Sequence, residues 1–208
     1  MARRRKGHRK QRLPLVVWLV GLLLIAGVLV VGCQRLDAQS QRAQQAQTTA
    51  TSSKQAFIDR LAPYAQELQK AYGVLPSITL AQAILESDWG RSTLAADYHN
   101  LFGIKSDDPK ASQMMTTKEY VNGKWVTIKA RFAVYPSDQA SLKAHALLFV
   151  NGTHWNAAQY HDVLAAKSYQ EAATALKTDG YATDPDYPSK LVNLIKTWRL
   201  DQYDSPNN

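Results

Sequence analysis

"QMMTTKEYVNGKWVTIKARFAVY", residues 113–135, is the stretch that separates a mixed fold from an all-helical one. Asn122-Gly123 lies between two alternating runs, the strongest short-range signal for a β-hairpin. A two-residue turn sets Val121 opposite Lys124, Tyr120 opposite Trp125 and Glu119 opposite Val126. One face of the ribbon then carries Met115, Thr117, Glu119, Val121, Val126, Ile128 and Ala130, with Glu119 as its lone acid. A charge placed there also discourages edge-to-edge pairing. The ribbon alone leaves Glu119 open between that role and a chemical one.

Around the ribbon the periodicity is helical. Phe57, Ile58, Leu61, Ala65, Leu68 and Tyr72 recur at helical spacing, and Gly73 supplies a stop. Ser77 reads as the cap of a second helix over residues 78–89, closed by Gly90. Further helices are predicted over 138–150 behind Ser137, and over 169–178 behind the capping box Ser168…Glu171. A last helix is predicted over 185–198, with Asp184 as its cap and proline in its first turn. The fold class is therefore α+β and mainly helical, with a small β-hairpin.

The N-terminal quarter has a different character. Seven of the 25 basic residues fall in the first twelve positions, leaving 18 against 17 acids in the rest. The net charge of +8 is thus local, and a nucleic-acid partner is not expected. Residues 13–32, "LPLVVWLVGLLLIAGVLVVG", carry no charge. As a helix they span roughly 30 Å, enough to cross a bilayer. Basic residues before the span predict a cytoplasmic N-terminus and an exported remainder. The single cysteine, Cys33, ends the run, and "VVGC" loosely resembles a lipoprotein box. Signal anchor and lipidated cysteine both stand as readings, and either one tethers the chain to a membrane. Residues 33–53, rich in Gln, Ala and Thr, read as a spacer. As a coil it reaches about 25 Å, and a short helical stalk is the other option, since Gln and Ala favour helix. The folded domain is expected over 54–202, with 203–208 as a tail.

Glu86, in "ILESDWGRS" (residues 84–92), is the second carboxylate of interest. Ile78, Ala81, Leu85 and Trp89 mark the expected buried stripe of its helix, and Glu86 lies one step to the side. The negative end of the helix dipole and partial burial both disfavour its charge. Such a carboxyl holds its proton near neutral pH, which suits a general acid. Arg91 would offset the effect if it folded back. A solvated glutamate at a helix edge is the commoner case.

Resemblance adds to this. "LPSITLAQAILESDWGRSTLA", "HNLFGIK", "TKEYVNGKW" and "YATDPDYPSKL" occur in order between residues 57 and 198. Together they resemble the family-73 glycoside hydrolases, bacterial N-acetylglucosaminidases of the lysozyme superfamily. The resemblance implies a two-lobed lysozyme-like domain with a groove between helices and hairpin. It implies Glu86 as catalytic acid, Glu119 as second carboxylate and Tyr181 near the reacting sugar. The implied substrate is peptidoglycan, cut at the β-1,4 bond after N-acetylglucosamine. Tyr98, Phe102, Tyr120 and Trp125 are candidates to stack on sugars, with Asn100 and Asp184 as further substrate-binding candidates. Asp88 stands where the family more often has glycine, placing another negative charge near Glu86.

No cofactor or metal is expected. The five histidines show no ligand spacing, and one cysteine excludes a thiolate cluster or an internal disulfide. No phosphate loop, dinucleotide fingerprint or nucleophile elbow is present. The rival readings are a lytic transglycosylase and a non-catalytic wall-binding protein. Against the first stand the second carboxylate and the lack of a "GLMQ"-like segment; against the other stands the intact pair of acids.

Overall fold

The computed structural model describes the backbone of residues 15–121 and 124–205, and the side chains of residues 39–117, 124 and 126–205. The chain divides into two compact units, Met1–Ser52 and Ser53–Asn208. In the first unit the described backbone is helical and belongs to α1 (Leu15–Tyr72). Residues 39–52 are exposed throughout, so the spacer takes the helical option rather than the coil. With nothing to bury, it rests on the helix propensity of Gln and Ala, and the Thr48 and Thr49 hydroxyls donate back to the Gln44 and Gln45 carbonyls. Among the described residues no helix is long and apolar enough to cross a membrane. The run expected to do so, 13–32, and Cys33 lie outside the residues whose side chains are described.

The second unit is mainly helical with one two-stranded antiparallel sheet. After α1 come α2 (Pro76–Ser87), α3 (Thr93–Tyr98), β1 (Ser112–Val121), β2 (Lys124–Ala133) and α4 (Asp138–Asn151). They are followed by α5 (His161–Ala165), α6 (Tyr169–Thr178), α7 (Tyr187–Trp198) and a 3-10 turn at Leu200–Tyr203. The final turns of α1 bury Phe57, Ile58, Leu61, Ala65 and Leu68, the stripe its spacing predicts.

α2 is the central helix. Every one of its residues except Leu85 and Glu86 is buried. A helix buried nearly all round belongs inside a core rather than on its edge. The one-sided stripe expected from sequence is corrected accordingly: Leu80, Ala83 and Ile84 are as buried as Ile78 and Ala81, while Leu85 and Trp89 are only half-buried. Fully burying each Leu or Ile contributes roughly 1.5–3 kcal/mol, so α2 anchors the unit. Its narrow window to solvent is where Glu86 lies.

Both ends of α2 differ from expectation. Ser77 is not the cap, since Leu75 holds that position and contributes no side-chain bond. Ser77 is instead wholly buried, and its N–H and hydroxyl both donate to the Asp204 carboxylate, at 2.8 and 2.7 Å. A carboxylate from the far end of the chain thus satisfies the helix start, where the dipole favours negative charge. Gln69 holds the adjacent residue by both ends of its amide, donating to the Ser205 carbonyl and accepting from the Ser205 N–H. Residues 203–205, expected to begin a tail, are part of the fold for that reason.

The C-terminal end comes two residues early. Asp88, Trp89 and Gly90 all take left-handed φ values of 50°, 62° and 74°. Ser87 braces the turn, its Oγ accepting from the Gly90 N–H and donating to the Ala83 carbonyl. A Cβ on Gly90 would lie 2.8 Å from the Phe57 ring, so only glycine fits this approach. The turn delivers Trp89 against Phe57 and Trp198, with ring centroids 6.1 and 4.8 Å away.

The hairpin keeps the predicted register, with Glu119↔Val126, Tyr120↔Trp125 and Val121↔Lys124. Its base is stitched to the helical part by Asn100, whose Nδ2 donates to the Ile104 and Ala133 carbonyls while Oδ1 accepts from the Ile104 N–H. α4 and α6 begin as predicted, with Ser137 accepting from the Ala140 N–H and Ser168 from the Glu171 N–H. α7 begins at Tyr187 rather than 185, because Asp184 turns its carboxylate to the Asp186 N–H ahead of the helix. The short helices α3 and α5 were not foreseen.

Candidate functional site

Glu86 occupies the last turn of α2. Tyr187, the first residue of α7, donates its hydroxyl proton to Glu86 Oε1 at 2.7 Å. That phenol oxygen in turn accepts from Gln82 Nε2 at 3.0 Å, one turn back on α2. Gln82 and Tyr187 are buried, so the relay is fixed from behind. It occupies one of the two carboxyl oxygens of Glu86.

Burial raises the Glu86 pKa above the ordinary carboxylate value, and the Tyr187 hydrogen bond opposes this more weakly. The side chain still reaches solvent, so the desolvation is partial and the carboxyl is addressable. Arg91 does not fold back to neutralise it; the guanidinium pairs with Asp88 at 2.7 Å on the exposed side of the turn. That pairing also balances the added charge of Asp88. Glu86 is thus an acid that keeps its proton to higher pH than a free glutamate.

Tyr181 completes the neighbourhood. Its ring lies 6.0 Å from that of Tyr187, and its phenol pKa is raised well above 10.0, by burial first and then by the nearby Glu86 charge. Behind it stands a wall of rings: His145, Phe149 and Tyr160, at centroid distances of 6.0, 5.8 and 6.1 Å. Glu86, Tyr181, Tyr187 and Gln82 are therefore brought together from α2, α7 and the segment ahead of α7.

Other predicted residues fall elsewhere. Phe102 is 5% exposed and lies flat on His145, with ring centroids 3.8 Å apart, so it is core rather than a free sugar platform. Asn100 is 1% exposed, with its amide spent on backbone, and positions the hairpin base rather than binding substrate. Asp184 gives its oxygens to the Asp186 N–H and to Lys190. Tyr98 is half-buried at the end of α3, where its carbonyl accepts from the Tyr135 N–H. The side chains of Glu119, Tyr120 and Trp125 lie outside the described residues; the register sets Tyr120 and Trp125 opposite each other, one pleat from Glu119.

Two residues escaped sequence reasoning. Tyr187 stands in the quoted "YATDPDYPSKL", but nothing local signals that its hydroxyl meets a residue 101 positions away. His145 is wholly buried, with no hydrogen-bond partner for either ring nitrogen, and burial lowers its pKa from 6.5 to about 3. It serves as a neutral aromatic spacer between Phe102 and Tyr181. The unfolded chain binds a proton here below pH 6.5 that the folded chain refuses. The resulting stability is complete above the unfolded pKa and is lost as pH falls towards about 3, by up to about 1.4 kcal/mol per pH unit. Between pH 7 and pH 5, urea unfolding is expected to show the protein losing about 2 kcal/mol more than a His145→Leu variant does. Equal losses in the two proteins would refute a neutral buried imidazole.

The chain is similar in sequence and fold to known proteins. Residues 62–200 match the glucosaminidase family model, described as mannosyl-glycoprotein endo-beta-N-acetylglucosaminidase. The chain is 50% identical over 161 residues to the exo-glucosaminidase LytG of Bacillus subtilis, a match covering 77% of this chain and 57% of that one. It is 40% identical over 192 residues to a probable N-acetylmuramidase of Lactococcus lactis subsp. cremoris, covering 91% of this chain and 43% of that one. The chain thus spans about half the length of these relatives. The crystal structure of the catalytic domain of the autolysin Auto from Listeria monocytogenes superposes with a TM-score of 0.68 at 40% identity, covering 77% of this chain and 97% of that one.

Proposed function

The chain belongs to the glucosaminidase family, and from that premise we propose that it hydrolyses peptidoglycan, cutting the β-1,4 bond after N-acetylglucosamine. The observation that carries the reading is the Glu86 carboxyl, raised in pKa by burial and held by Tyr187 through one oxygen. Glu86 gives its proton to the glycosidic oxygen as the bond to the anomeric carbon breaks and an oxocarbenium-like state develops. Water then adds to that carbon, giving a reducing end, and its proton passes to a carboxylate. Glu119 is the second carboxylate, either taking that proton or acting beside the substrate's own acetamido group, which Tyr181 orients. Tyr181 remains a neutral phenol throughout, because burial and the Glu86 charge hold its pKa high.

The relatives' names divide between glucosaminidase and muramidase, so the bond is decided by product. Digestion of purified sacculi with the full chain, followed by mass spectrometry, is expected to give new N-acetylglucosamine reducing ends. N-acetylmuramic acid at the new ends would overturn the bond assignment, and no cleavage would overturn the hydrolase.

The basic cluster and the charge-free run at 13–32 support a membrane tether with the N-terminus in the cytoplasm. Protease added to wall-stripped cells is expected to remove residues 54–208. Survival of that part until the membrane is broken would reverse the topology.

A further inference from the structure

Trp155 is 69% exposed, the most open of the large hydrophobic side chains among the described residues. It sits with His154 at the tip of a tight turn between α4 and α5. Thr153 and Asn156 close that turn, each N–H donating to the other's carbonyl, at 3.0 and 3.1 Å. Gly152 begins it at φ 65°, and a Cβ there would lie 2.3 Å from the Asn156 carbonyl oxygen. The chain doubles back so closely that only glycine fits. The Thr153 hydroxyl donates to Gln159 Oε1, and Gln159 Nε2 donates to the Asp179 carbonyl, two residues before Tyr181. Tyr160, at the foot of the loop, packs on Phe149 and Tyr181. The indole is therefore presented by a braced turn, tied to the segment that carries Tyr181.

We propose that Trp155 is an outlying sugar subsite, its open indole face stacking on an N-acetylhexosamine ring of the glycan strand beyond the bond that is cut. This rests on the glycan-hydrolase reading above. Several features select a sugar. The imidazole of His154 stands edge-on to the indole at 4.4 Å and 86°, which leaves the pair as one apolar face beside a hydrogen-bonding edge. The loop that carries them is built largely from small, amide and hydroxyl residues, among them Asn151, Thr153, Asn156 and Gln159. No Lys or Arg occurs between residues 151 and 166, so the loop itself offers no fixed positive charge to an anion or an acidic membrane surface. A neutral ring with an apolar face and a polar rim fits this composition.

The test uses the full chain and peptidoglycan glycan strands stripped of peptide, in long and short fractions. Trp155→Ala is expected to raise KM on long strands about tenfold with kcat unchanged, the size of one lost aromatic contact. Short fragments that fill only the Glu86 site should be cut as before, and Trp155→Phe should retain most of the long-strand advantage. Unchanged KM on long strands, with the wild type active, would overturn the subsite and leave the hydrolase standing. A wild type inactive on every strand would instead sink the hydrolase reading. A loss seen only on strands that keep their peptides would assign the indole to peptide and overturn the sugar.

Discussion

Glu86→Gln is expected to slow cleavage of peptidoglycan by the full chain by about 10²–10⁴-fold while leaving its fold intact, since that is the usual worth of a general acid. Glutamine keeps the size of the side chain and still accepts the Tyr187 hydroxyl through its amide oxygen. What it lacks is the proton that the departing oxygen needs. The stability balance points the same way. Burial raises the Glu86 pKa, so the folded state favours the protonated carboxyl. That contribution is complete below the unfolded value of 4.5 and is lost as pH rises through the folded value. At neutral pH the neutral amide is therefore no less stable than the native carboxyl. Tyr187→Phe makes a second variant with a different signature. It removes the hydrogen bond that lowers the Glu86 pKa, so the alkaline limb of the pH–rate profile should move upward. It also strips Gln82 Nε2 of its acceptor, costing about 1–3 kcal/mol as a buried donor left unpaired. Near-native activity in Glu86→Gln would remove Glu86 from the chemistry, whatever its surroundings.

The contrast between Glu86 and Tyr187 shows how far the sequence is legible. Elements set by local rules could be read directly. The hairpin register follows from a two-residue turn and strict alternation, and it appears as expected through Val121↔Lys124. The start of α6 follows from Ser168 and Glu171, although the Glu171 carboxylate accepts from the Lys167 N–H, one residue ahead of the cap. Wherever a distant residue intervened, local reading failed. Ser77 looks like a cap, but Asp204 takes over that end of α2 across 127 positions. Asp184 looks like a cap too, yet it closes a turn before the helix begins. Phe102 and Asn100 carry the residue types of a sugar site, and tertiary packing turns both inward.

The site divides along the same line. That Glu86 lies beside an apolar run was visible in "ILESDWGRS", but its raised pKa depends on what covers it. Burial raises it, and the Tyr187 hydrogen bond opposes the rise. Arg91 was the residue able to cancel the effect, and only the left-handed turn over Asp88, Trp89 and Gly90 shows why it does not. His145 left no local trace, since a histidine on a helix reads as polar until its neighbours are known.

Deleting Gly123 is expected to cut the rate by about 10²-fold or more while the helical circular dichroism signal stays unchanged. The turn between Val121 and Lys124 has two residues, Asn122 and Gly123. One residue cannot close the same pair, so the strands must re-pair, and a shift of one position turns a side chain to the opposite face. Glu119, paired with Val126 in the native register, would then lie opposite a different residue. The helical core holds meanwhile, because α2 packs with α6, α7 and the final 3-10 turn. Glu119→Gln keeps the register and removes only the charge, so it separates loss of the carboxylate from loss of geometry. Its effect should be smaller if the acetamido group carries the attack and comparable to the deletion if Glu119 activates water. The products decide what the carboxylate is for. Hydrolysis leaves a reducing end that sodium borohydride converts to an alditol, whereas a transglycosylase closes the sugar on itself and leaves nothing to reduce. Borohydride-resistant anhydro products from the native protein would make a second carboxylate unnecessary, and full activity in the Gly123 deletion would remove the hairpin from the catalytic groove altogether.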